Sequence, residues 1–99
     1  MATVDASPIV YELTTELRAL QQAPQVEAVF SELVEDTFVV WVGIREDNAI
    51  ARKMAYYLED LMSEKFPDVI FDFHVIALPE DKNTRDYVTN AQVVFQRSA

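Results

Sequence analysis

Residues 69–78, VIFDFHVIAL, form the most hydrophobic run of the chain, and its pattern alternates. Val69, Phe71, Phe73, Val75 and Ala77 fall on one side of an extended strand. Ile70, Asp72, His74, Ile76 and Leu78 fall on the other. Upstream, Ser7-Pro8 reads as an N-cap followed by proline at the first helical position, and Ile9, Leu13, Leu17 and Leu20 recur at helical spacing. This amphipathic helix ends near Gln22, since Pro24 biases Ala23 away from helical angles. Residues 26–34 and 37–44 are rich in β-branched and aromatic side chains, and Glu35-Asp36 between them is the right length for a tight hairpin, with Asp tolerant of positive φ. In the second strand Phe38, Val40, Val42 and Ile44 make the better core face. Asp47 or Asn48 caps a longer helix with Ile50, Met54, Leu58, Leu61 and Met62 as its buried stripe, and Phe66-Pro67 stops it.

Residues 79–85, PEDKNTR, read as an exposed charged loop. The tail from Asp86 fits two assignments, because Tyr87, Val88, Ala91 and Val94 suit a helix while Val93 and Phe95 alternate together as in a strand. A short turn followed by a strand is preferred. The expected order is therefore α-β-β-α-β with a C-terminal strand, in one domain over residues 1–99 with a loose segment at 1–6. Both helices belong on one sheet face, which makes a two-layer, open-faced α+β sandwich of ferredoxin-like type. By strand parity the other sheet face presents Val29, Leu33, Val39, Trp41, Ile70 and Ile76. Contiguous apolar surface of that kind marks an interface, and a homodimer closed sheet to sheet is the expectation.

Composition supports association. Hydrophobic residues are 51% and aromatic residues 11% of the 99, more apolar surface than one small core hides. Seventeen acidic against eight basic side chains give a net charge of −9, with no Lys/Arg stripe to follow a phosphate backbone, so nucleic acid and anionic membrane surfaces are not expected ligands. A basic protein partner or a cation is compatible with that charge. No cysteine is present to serve as thiolate, disulfide or sulfur ligand, and a single glycine excludes a phosphate-cradling loop. No basic start with an apolar core resembles a signal peptide, and no apolar run reaches the ~20 residues of a membrane span; the expected setting is soluble and cytoplasmic.

Candidate chemistry is sparse. Asp72 and His74, two apart on a strand, project from the same face, where they suit a shared metal ion or an acid–base pair. The spacing is common by chance, and a solvated or interface Asp72 with a hydrogen-bonded His74 is the favoured explanation of it. The serines occupy no nucleophile-elbow context, and His74 is the only base of its kind, so no catalytic triad is legible. Neither a cofactor site nor a catalytic residue beyond His74 and Asp72 is indicated. Trp41 on the second sheet face suits an interface anchor or a core residue.

The order α-β-β-α-β, a long helix ending in Phe66-Pro67-Asp68-Val69, and His74 in the strand that follows together resemble the cytosolic C-terminal domain of cation diffusion facilitator transporters. The resemblance covers about residues 10–78. It implies a small dimerising module that can bind zinc or related ions. That family's metal sites also use histidines in the second strand and at the start of the second helix, where this chain reads FVVWVGIRED and NAIARKM; only His74 carries over.

The leading functional expectation is a non-enzymatic module that homodimerises and acts by protein–protein interaction. The alternatives are a divalent-cation-responsive regulatory domain with Asp72 and His74 as ligands, and a small enzyme using His74 as general base in a dimer-lined pocket.

Overall fold

A computed structural model describes residues 7–88 and 90–97, so the segment read as loose at 1–6 lies outside the described residues. Helix α1 runs Ser7–Leu17 and tightens into a 3-10 turn over Arg18–Gln22. Pro8 fits the first turn, where its missing N–H has no intrahelical partner. Ile9, Leu13, Leu17 and Leu20 are buried, as their spacing requires. Strands β1 (Val26–Val34) and β2 (Thr37–Ile44) form the antiparallel hairpin closed by Glu35-Asp36. The left-handed residue of this turn is Glu35, with φ 56°, and not the aspartate. For a residue with a Cβ that conformation costs about 1 kcal/mol, a local cost offset by the ladder it closes.

Helix α2 spans Ala49–Lys65, and Asn48 caps it by accepting the Ala51 N–H at 2.9 Å. Its stripe is Ala51, Ala55, Leu58 and Met62, with Met54 and Leu61 partly buried. Ile50, expected in that stripe, is 70% exposed. The helix is turned so that the small side chains of Ala51 and Ala55 lie against its neighbours, and they allow a closer approach than isoleucine permits. Lys65, in the last turn, pairs with Glu12 and Glu16 of α1, and the hydrogen bond to Glu12 holds its ammonium above the usual lysine range.

Strand β3 (Ile70–Ala77) returns parallel to β2, and β4 (Gln92–Gln96) pairs antiparallel with β1, giving the sheet order β3-β2-β1-β4. The tail is thus a turn followed by a strand. Both helices pack on one face, around Val26, Val29, Val40, Val42, Ile44, Phe71 and Phe73. The α+β sandwich expected from the pattern is the observed architecture.

Two face assignments change. Val29 pairs with Val42 and Leu33 with Phe38, which places both on the helix side. Directly opposed residues of an antiparallel pair share a face, and Phe38 and Val42 fix which one it is. Val29 is fully buried there, so it cannot serve an external interface. Likewise Val93 and Phe95 do not act together: a register shift opposite Val29 and Phe30 leaves Phe95 in the helix-side core and Val93 exposed.

The loop expected to stand in solvent is exposed at residues 79–83 and at Arg85, while Thr84 is buried and ties this segment, a strap across the second face, to the sheet. Leu78, Thr84, Val88 and Ala91 are buried, with Val88 and Ala91 packed against Ala28 and Phe30 on the second sheet face. Thr84, at 0% exposure, sits directly over Gly43: a Cβ built on that glycine would lie 1.8 Å from Thr84 Oγ1 and 2.9 Å from its Cβ. The single glycine of the chain is where this strap meets β2. Gly43→Ala is therefore expected to lower unfolding free energy by about 1–3 kcal/mol in urea denaturation. Thr84→Ala in the same chain should recover only part of the overlap, because removing the hydroxyl leaves the Cβ contact.

Candidate functional site

The strap is held from below by an acid that sequence reading passed over. Glu27 lies at a register shift between β1 and β2, where Val26 opposes Ile44 and Ala28 opposes Gly43. Strict alternation would send Glu27 toward the helices, but the irregularity lets Val26 fill the core and leaves Glu27 beneath the strap. Its buried carboxylate accepts the Thr84 N–H at 3.2 Å and the Thr84 hydroxyl, capping the short 3-10 turn Thr84–Asp86. Arg45 stands 3.9 Å away and also donates to the Lys82 carbonyl and, at 2.6 Å, to Asn83 Oδ1. On the same strap Arg85 lies 4.2 Å over the Phe30 ring, a cation–π contact. The one sequence signal for this network was the isolated acid within an otherwise apolar start of β1.

The strap covers only part of the second face. Beyond it, Trp41 packs one side against the Phe30 cluster and stacks on His74, with ring centroids 6.3 Å apart and planes 22° apart. The parallel register places Val39 beside Asp72, Trp41 beside His74 and Gly43 beside Ile76. Ile76 packs against the strap-side cluster, while Ile70, at 62% exposure, stands at the open end of the face. Thus Val39, Trp41, Ile70 and Ile76 occupy the face expected for them, whereas Val29 and Leu33 do not.

Asp72 and His74 do meet: Asp72 Oδ2 is 3.1 Å from His74 Nε2, with side chains 53% and 50% exposed. The carboxylate and the Trp41 ring together fix the imidazole plane, so the pair can hold a proton or offer two ligand atoms. Among the described residues no group of three or more His, Cys, Asp or Glu side chains is placed to hold a metal ion.

The edge beside this face is closed in a different way. Glu59 of α2 accepts the Phe73 N–H at 2.8 Å, so an acid on the helix occupies a donor on the outer edge of β3. No described helix is long and apolar enough to cross a membrane. No protein-family model matches the chain, and no curated protein matches it in sequence.

Loss of the carboxylate should free the strap before it unfolds the sheet. Glu27→Gln keeps the shape but weakens charge-assisted bonds, and an expected loss of about 1–3 kcal/mol can be read from thermal melts. Trypsin cleavage after Lys82 and Arg85 should accelerate in the same variant at temperatures where its circular dichroism is unchanged. Equal cleavage rates would show that Glu27 does not anchor the strap.

Proposed function

We propose that this chain is a small non-enzymatic module that homodimerises through the open half of its second sheet face and acts by protein–protein interaction. The observation that carries the reading is the joint presentation of Trp41, Val39 and the exposed Ile70 on a sheet face that the strap leaves uncovered. A tryptophan held rigid by a ring stack has already lost much of its side-chain freedom, which lowers the entropic cost of burying it at an interface.

A second copy suits this face better than an arbitrary apolar partner. Two-fold pairing is isologous, so a patch carrying both an acid and an imidazole can set Asp72 of one protomer against His74 of the other. Such pairing gives each Asp72 carboxylate a hydrogen-bond partner where two chains of net charge −9 meet. Ile76 extends the apolar surface as far as the strap, and Val34 borders it on β1.

Sedimentation equilibrium at tens of micromolar should give twice the 11.3 kDa chain mass. Ile70→Lys should weaken the dimer by at least about tenfold while leaving the melting curve of the dilute protein unchanged. A strict monomer across that concentration range overturns the proposal, as does a dimer indifferent to substitutions at both Ile70 and Trp41.

A further inference from the structure

β1 has strand neighbours on both sides at its start and on one side at its end. β2 accompanies it from Val26 to Val34, whereas the β4 ladder covers only Ala28 to Ser31. Before Gln92 the ladder stops: Ala91 and Val88 pack on Phe30 on the second face, and Asn90 lines the cleft beside Leu33 without pairing in the ladder. Among the described residues, Glu32, Leu33 and Val34 therefore have no strand beside them on the β4 side.

The direction of the free backbone groups follows from alternation. The Glu27 carbonyl points to the β4 side, where it accepts the Arg97 N–H at 2.9 Å. Steps of two carry that direction through Val29 and Ser31 to Leu33. Hairpin geometry agrees, because the pair closing a two-residue turn, Val34 and Thr37, directs its amides across the hairpin. Leu33 thus turns both its N–H and its C=O into the open side.

A cleft of about 300 Å³ lies beside this edge. Leu13 and Phe38 are its apolar floor, Val10 and Leu33 stand at its margin, and Gln92 marks where β4 begins. Glu32 is the one charged residue among those lining it, and the adjacent hairpin turn adds Glu35 and Asp36.

The geometry points to strand addition at this place: an extended cationic peptide continues the line of β4 along Leu33. Its backbone takes the Leu33 amide groups, every second side chain drops an apolar group into the cleft, and Lys or Arg lies against Glu32, Glu35 and Asp36. This site goes beyond the dimer face, uses different residues and is tested separately from it.

The test titrates the isotopically labelled full chain with a capped peptide of alternating Lys and Leu, and with its counterpart carrying Glu for Lys. The Lys peptide is expected to bind in the micromolar range, slow exchange of the Leu33 amide and shift the resonances of Val10, Leu13 and Phe38. Of two copies N-methylated at either the Leu or the Lys positions, one should keep binding and the other should lose at least about tenfold, because alternate amides face opposite edges. Leu33→Pro removes the outward N–H, at a position where proline is tolerated in a strand, together with the side chain at the cleft margin, and should abolish binding in a folded protein, whereas Leu33→Ala, which loses the side chain and keeps the N–H, should retain it in part. Glu32→Lys supplies a further variant and should weaken the Lys peptide while admitting the Glu peptide. Equal binding of both charge forms or both methylated copies overturns the proposal, as does full binding to Leu33→Pro. Peptide-free protection of the Leu33 amide also overturns it: protection rising with protein concentration assigns the edge to a second copy, and protection at every dilution assigns it to the chain itself.

Discussion

A carboxylate buried under a strap is the constraint on which the second sheet face depends. An uncompensated charge in such a place costs several kcal/mol, so Glu27 requires the donors that reach it. The Thr84 N–H and hydroxyl supply them, and Arg45 adds a cation close by while holding the neighbouring strap residues Lys82 and Asn83. The register shift at the start of β1 turns Glu27 toward the strap, and Gly43 leaves the space in which Thr84 sits. Each part is of use only with the others: the acid without Thr84 is a buried charge with too few donors, and Thr84 without the glycine has nowhere to lie.

The strap divides the second sheet face. Its inner half is a second small core of Ala28, Phe30, Val88 and Ala91, and Trp41 spans the boundary between that core and the open half. The excess hydrophobic surface implied by composition is therefore absorbed in two ways. Some is covered within the chain, and some stays at Val39, Trp41 and Ile70, where burial by a second protomer would complete what the strap begins.

Sheet edges receive the same uneven treatment. β3 lies on the outside of the sheet, yet Glu59 reaches from α2 to occupy the Phe73 N–H. β4 is short and carries a register irregularity, features that discourage uncontrolled pairing. Among the described residues the end of β1 has neither device, and Val88 and Ala91, ahead of β4, pack on Phe30 instead.

Most of the architecture was legible from local pattern. Both hairpin strands, a cap at Asp47 or Asn48, the stop at Phe66 and the two faces of β3 follow from periodicity and cap chemistry, which act over a few residues, and the fold selects Asn48. The adjacency of Asp72 and His74 was equally local, since residues two apart on a strand share a face. Alternation failed at β1, where the register shift with β2 changes which side Glu27 faces, and Val29 and Leu33 had to be placed through their partners Val42 and Phe38. Polar composition reads residues 79–85 as solvent-facing, which they are except at Thr84, the one position that composition does not distinguish. A bond between residues 57 apart in sequence leaves no periodic trace. The sequence by itself determined α1, the hairpin, α2 and β3, and the core faces of α1, β2 and β3, because short-range geometry and hydrophobic spacing suffice for them. Only the tertiary structure decided what lies on the second face, because that depends on which distant donor reaches a buried acid and on where the β4 ladder ends along β1.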